Sequence, residues 1–281
     1  MGNAFVSRRA CPNGTNLDLM MTTPTKTQPN TTIIGSKHPA DTASIIKLTN
    51  ITFAYPGSEN KVLDCLNLDI KQGDRIGMMA PNGSGKTTLL HTIMGLCKPE
   101  IGVIEVLGNP VETEKDFTRI RSRVGLLFQD SDDQLFCPTV LDDVAFGPLN
   151  LGYSRQQAID VSRKILKNLG IEEFEQSVTH RLSGGQKRLV ALAAVLAMSP
   201  AILLLDEPTA GLDAAVKKKL IHILNHLDIT YFVISHEFDF LNAVTDKVYS
   251  MDKGKILTDD EIQVHRHEHI HKHGKHPHIH K

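Results

Sequence analysis

Between Ile45 and about Ile262, short and almost wholly apolar runs alternate with amphipathic segments. That alternation predicts an α/β fold, a sheet of buried strands with helices on its faces. Four runs read as strands: RIGMM (Arg75–Met79), VGLLF (Val124–Phe128), AILLL (Ala201–Leu205) and TYFVIS (Thr230–Ser235). Each ends in polar or glycine-rich sequence. In open α/β sheets ligands bind outside the carboxyl ends of the strands. Lys86, Gln129, Asp206, Glu207 and His236 all follow such ends and are therefore expected to converge on one site.

The most apolar stretch, Leu189–Leu205, is short of the roughly 20 residues that span a bilayer, and Ser199 and Pro200 divide it. It predicts a buried helix followed by a buried strand. Arg8 and Arg9 are followed by no apolar run, so the start of the chain does not read as a secretion signal. Attachment to a membrane would have to come through a partner.

The pattern is absent at both ends. Residues 1–43, rich in threonine, asparagine and proline, predict a disordered extension, residues 44–262 the folded domain, and residues 263–281 a separate histidine-rich tail. Charge narrows the function further: 31 basic against 32 acidic residues leave a net charge of -1, with no polycationic footprint for nucleic acid. Cys11, Cys65, Cys97 and Cys137 are widely spaced and form no CxxC pair. Neither a zinc knuckle nor a redox pair is indicated, and a reduced, cytoplasmic setting fits.

The chemistry begins after the first strand with APNGSGKTT, residues Ala80, Pro81, Asn82, Gly83, Ser84, Gly85, Lys86, Thr87 and Thr88. It matches the phosphate loop G-x-x-x-x-G-K-[ST] except at its first position. Gly83 and Gly85 let backbone N–H groups curl around phosphate oxygens, and the helix that follows adds the positive end of its dipole. Lys86 would neutralise the outer phosphates and Thr87 would sit on Mg²⁺. Ala80 replaces a glycine, which puts the first turn in doubt if that turn needs positive φ.

AILLLDEPTAGLD carries Asp206 and Glu207 out of a buried strand. Asp206 suits Mg²⁺ and Glu207 suits an attacking water. His236 and Gln129 end the other strands, where a side chain could reach a γ-phosphate or that water. LSGGQ opens a strongly helical stretch, with Ser183 a plausible N-cap and Gly184 and Gly185 allowing close approach of a phosphate. This second anion-binding device is more than one nucleotide in one chain requires.

Tyr55, APNGSGKTT, Gln129, LSGGQKR, LLLDEPTAGLD and His236, in this order, closely resemble the ATP-binding subunits of ABC transporters over about Ile45 to Ile262. The resemblance implies the P-loop NTPase fold of ABC type, a mixed sheet with a smaller helical subdomain between about Asp130 and Met198. It also implies ATP hydrolysis with Glu207, His236 and Gln129 in catalytic roles, Mg²⁺ held through Thr87, Gln129 and Asp206, and Tyr55 stacked on adenine. A head-to-tail dimer follows, in which Ser183, Gly184, Gly185 and Gln186 of one subunit close on the ATP of the other.

The segment FQDSDDQLFCPTVLDDVAFGPLNLG, Phe128 to Gly152, resembles the corresponding region of the energy-coupling-factor importers, especially the cobalt and nickel branch. In that family it forms part of the groove for the coupling helices of a transmembrane scaffold protein, so Leu135 and Phe136 are expected to face a partner. A separate membrane subunit would select the substrate.

The tail HRHEHIHKHGKHPHIHK carries eight histidines: His265, His267, His269, His271, His273, His276, His278 and His280. Alternation along an extended chain places neutral imidazoles on one edge, where they can chelate Ni²⁺, Co²⁺, Cu²⁺ or Zn²⁺. Together these features predict a peripheral ATPase at the cytoplasmic face of the cell membrane that drives nickel uptake, with cobalt second. A vitamin importer is the alternative in the transport class. A soluble ABC ATPase of translation or repair fits less well, because such proteins typically have two cassettes or a long coiled-coil insertion.

Overall fold

The computed structural model describes residues 43–257; the histidine tail and nearly all of the proposed N-terminal extension lie outside them. The chain begins β1 (Ser44–Ala54), β2 (Lys61–Lys71), β3 (Arg75–Met79), α1 (Lys86–Ile93), β4 (Ile101–Val106), β5 (Asn109–Pro110) and α2 (Glu114–Arg121). It continues with β6 (Val124–Leu127), α3 (Val140–Asn150), α4 (Arg155–Asn168), α5 (Gly184–Ala197) and β7 (Ile202–Asp206). The last described elements are α6 (Ala214–His226), β8 (Thr230–Ile234), α7 (Phe238–Val244), β9 (Lys247–Asp252) and β10 (Lys255–Leu257).

All four strands expected from the apolar runs are present as β3, β6, β7 and β8, adjacent in a six-stranded sheet of order β10-β9-β3-β8-β7-β6. Every pairing in it is parallel except β9 with β10. Every residue of β6, β7 and β8 is buried, because both faces of the sheet are covered and no strand position meets water. The apolar stretch Leu189–Leu205 resolves into the end of α5, a break at Ser199–Pro200, and β7. Among the described residues no helix is long and apolar enough to cross a membrane.

A second sheet was not legible as such. Strands β2-β1-β4-β5 form a four-stranded antiparallel sheet, so the architecture is mixed, as the resemblance implied. The apolar residues of β1 alternate correctly at Ile46 and Leu48, then slip by one residue before Ile51 and Phe53. Asn50, at φ 52°, absorbs that slip, and the register with β2 shifts between Leu48 and Ile51. A bulge of this kind erases the period of two that would announce a strand.

One core fills the space between the two sheets, from Ile46 and Leu66 through Leu89 to Leu204 in β7 and Phe232 in β8. The other lies between the parallel sheet and the helices, with Leu127, Val144, Leu192, Leu203 and Tyr231. Helices α3, α4 and α5 form the helical subdomain expected between about Asp130 and Met198. Among the described residues Cys97 and Cys137 are free thiols.

Candidate functional site

The phosphate loop joins β3 to α1. Gly83 and Gly85 sit at φ 79° and 103°, where a side chain is strained, and a Cβ on Gly85 would stand 2.7 Å from the Val62 carbonyl oxygen. Ala80 is buried and is not among the residues of positive φ, so its first turn needs no glycine. The doubt raised by that substitution is removed on backbone grounds.

Lys86, only 8% exposed, donates to the Ala80 carbonyl oxygen (3.1 Å) and to Asn82 Oδ1 (3.2 Å). Its third partner is Glu207 Oε1 at 3.2 Å, an ion pair with both side chains buried. The other oxygen of Glu207 accepts from His236 Nδ1 (2.9 Å) and from the His236 backbone N–H (3.3 Å). Glu207 adopts φ 44°, the left-handed region that a non-glycine residue occupies only when its surroundings impose it. Its backbone N–H is held by the Ile234 carbonyl oxygen at 2.9 Å. The strained backbone thus turns the carboxylate from the end of β7 toward both Lys86 and His236.

Asp206 is one residue earlier. Thr87 Oγ1 donates to its Oδ2 at 2.9 Å, while Oδ1 is buried without a hydrogen-bond partner. Burial raises its pKa, the Thr87 hydrogen bond opposes that shift, and the Glu207 carboxylate adds to it. An orphaned carboxylate oxygen beside a hydroxyl, both oxygen donors, is the ligand chemistry of Mg²⁺, which takes few protein ligands and completes its shell with phosphate and water. Thr87 and Asp206 therefore fit that ion.

Around these groups lies a cavity of about 690 Å³, lined by Tyr55, the loop from Ala80 to Thr88 except Ser84, Gln129, Glu207 and His236. Its size suits a ligand as large as a nucleotide. Tyr55 stands half exposed at the rim, its hydroxyl 3.0 Å from Thr88 Oγ1 and its ring edge-on to Phe53 at 5.0 Å. The strand-end residues thus meet as the apolar runs implied.

Ser183 to Gln186 do not line that cavity. Ser183 caps α5 by accepting from the Gln186 N–H at 3.3 Å, and Gln186 Oε1 accepts from the Ser183 N–H at 2.8 Å. This capping box uses both side chains to start the helix. A Cβ on Gly184 would meet nothing within 4 Å, so that backbone faces open space. It lines a second cavity of about 650 Å³, shared with Thr87, Gln129, Arg188 and Asp206.

Arg188 went unnoticed in the sequence. Its guanidinium, 4% exposed, donates to the carbonyl oxygens of Phe128 and Gln129 and so ties α5 to the segment after β6. The signal was a cation, next to Lys187, on the face shared with Leu192 and Val195 of a helix that is apolar from Leu189 onward. Of the two residues expected to face a partner, Leu135 is buried in the helical core, while Phe136 is 66% exposed and packs edge-on to Phe146 at 4.8 Å.

Comparison with known proteins agrees with this geometry. The family model for the ABC transporter matches residues 63–210. The chain is 48% identical over 236 residues to a putative ABC transporter ATP-binding protein of Nitratidesulfovibrio vulgaris, covering 84% of this chain and 86% of that protein. It is 42% identical over 217 residues to the energy-coupling factor transporter ATP-binding protein EcfA of Methanocaldococcus jannaschii, covering 76% and 77%. Among solved structures, cbiO1 of Clostridium perfringens, part of the ABC transporter complex cbiONQ, is similar with a TM-score of 0.69 at 34% identity, over 76% of this chain and 87% of that one. A dimeric ATP-binding cassette in a post-hydrolysis state with ADP and Pi gives 0.70 at 30% identity, over 76% and 97%. The chain belongs to the ABC transporter ATP-binding family and is an ATPase of the energy-coupling-factor type.

Proposed function

We propose that this chain is the motor of an importer for a transition metal, nickel first and cobalt second, and that it works as a head-to-tail dimer beneath a transmembrane scaffold protein. The observation that carries the motor role is the constellation of buried Lys86 and Glu207 with exposed His236 on one nucleotide-sized cavity, and of Asp206 bonded to Thr87 beside it. The metal assignment rests on the histidine composition of residues 265–280 and on the resemblance of the segment from Phe128 to Gly152 to the cobalt and nickel branch of the energy-coupling-factor importers.

Lys86 pairs with Glu207 Oε1. Arrival of the triphosphate gives Lys86 a stronger anionic partner, so the lysine exchanges Glu207 for phosphate and the carboxylate becomes available to the attacking water. His236, bonded to Glu207 through Nδ1, keeps that carboxylate aimed during the exchange. Water adds to the γ-phosphorus, Glu207 takes its proton, and the bond to the β-phosphate oxygen breaks to give ADP and phosphate. Thr87 and Asp206 would hold Mg²⁺, which neutralises charge on the phosphate oxygens. Gly184, open on its outer side, would approach the nucleotide of a partner subunit.

Docking to the scaffold is assigned to the exposed aromatic pair Phe136 and Phe146, an apolar anchor of the kind that receives a partner helix. Membranes solubilised from cells producing this chain should yield the scaffold and substrate-binding subunits bound to it. Phe136→Ser should remove them while the isolated subunit still hydrolyses ATP. In cells lacking the subunit, nickel accumulation should fall; unchanged nickel and cobalt accumulation with loss of vitamin uptake would assign the alternative substrate class.

A further inference from the structure

Two histidines that the ATPase chemistry does not use sit together near the carboxyl end of α6. His222 and His226 are four residues apart, so they share one helix face, and both are exposed. Their rings are in contact, with centroids 4.1 Å apart and planes 41° from each other. We propose that His222 and His226 form a two-histidine chelate on the surface of α6 that binds a late first-row transition-metal dication.

The hydrogen bonding of His226 carries this beyond proximity. Its Nδ1 lies 2.7 Å from the His222 carbonyl oxygen. A carbonyl only accepts, so Nδ1 bears the proton, and in the neutral ring the lone pair is on Nε2. Metal-ligating histidines are held in this way: one ring nitrogen donates to a backbone carbonyl, which fixes the tautomer and orientation of the other. His226 has that support before any ion arrives. Ligands at about 2.0–2.1 Å from one ion place their nitrogens about 3 Å apart, and histidines four residues apart on one helix face are a spacing that two ligands of one ion use.

The helix end favours a cation, against the opposing charge of exposed Lys218, which lies four residues before His222 on the same face. The carboxyl terminus of a helix carries the negative end of its dipole. Lys219, on the preceding turn, is drawn away to the Gly170 carbonyl oxygen at 2.6 Å, and Asn225 to that of Ala243 at 3.1 Å, so neither covers the pair. Among the described residues no group of three or more histidine, cysteine or carboxylate side chains is placed to hold a metal. Two imidazoles leave the remaining positions to water, which suits the tetragonal preferences of Cu²⁺ and Ni²⁺ and follows the general rise in affinity toward copper. The site is independent of what the importer carries.

The test uses the full chain with the eight histidines from His265 to His280 replaced by asparagine, so that only other sites report. Calorimetric titration of the nucleotide-free protein with Cu²⁺, and separately with Ni²⁺, should show one ion per chain. His222→Ala and His226→Ala should each weaken binding by at least about tenfold, because either change converts a chelate into a single imidazole, and the double variant should lose little more. Both residues are exposed and neither lines the nucleotide cavity, so ATP turnover should be unchanged and certifies the fold of each variant. Affinity equal to the parent in either single variant, or no binding by the parent, would overturn the proposal.

Discussion

Lys86 and Glu207 each serve two purposes, and separating them is the sharpest test at the level of single residues. They neutralise one another in a setting where both side chains are under a tenth exposed. Lys86→Ala leaves the Glu207 carboxylate buried with only His236 beside it, which costs about 3–5 kcal/mol by analogy with other broken buried pairs. ATP affinity should fall as well. Adding Glu207→Gln to that variant removes the stranded charge, so urea denaturation of the double variant should show a smaller loss than the sum of the two. Additive losses would mean that the pair contributes nothing as a pair.

Cys137 gives a test of opposite character. Burial, followed by the charge of nearby Asp143, pushes its thiol up to about 11. Since only the thiolate reacts, iodoacetamide should modify Cys137 slowly at pH 8 and much faster as the pH approaches that value. Fast modification at pH 8 would contradict the environment described.

At the scale of elements, a buried carboxylate organises the approach to the helical subdomain. Asp143, in the first turn of α3, accepts from the backbone N–H groups of Phe136 (3.0 Å) and Cys137 (2.8 Å) and from the Thr179 hydroxyl (2.8 Å). It thereby joins the loop that displays Phe136 to the segment that leads into Ser183 and α5. Asp143→Ala leaves those donors without partners, and about 2–4 kcal/mol of stability should be lost, a fall in Tm of roughly 4–16 °C for a domain of this size. An unchanged Tm would show that the loop is held by other contacts.

The same elements explain what could be read from sequence. Strands β3, β6, β7 and β8 were legible because burial on both faces leaves an uninterrupted apolar run. Their polar ends then located Lys86, Gln129, Asp206, Glu207 and His236. The antiparallel sheet was hidden by the slip at Asn50, and Arg188 by its place in a motif already explained by capping. No local pattern could reveal that Leu135 turns inward while its neighbour Phe136 turns out, since that depends on Asp143, seven residues beyond Phe136, holding the intervening loop.

For the molecule as a whole, the proposed function calls for two chains. One cavity gathers the phosphate loop, Tyr55, Glu207 and His236, while the glycine-rich start of α5 stands apart from it with Gly184 facing open space. A second copy supplies the missing wall if it packs head to tail, and the nucleotide then belongs to two chains at once. Closure on ATP and release after hydrolysis become a two-state motion that a docked scaffold can follow.

Glu207→Gln tests this most directly, since the amide keeps the shape of the side chain and removes the base. Sedimentation of the purified variant with Mg-ATP, alongside turnover, should show a stable dimer and hydrolysis slowed by about 10²-fold or more, with the nucleotide-free protein monomeric. A variant that stays monomeric at saturating ATP, or that turns over near the parent rate, would contradict both the shared nucleotide and the role of Glu207.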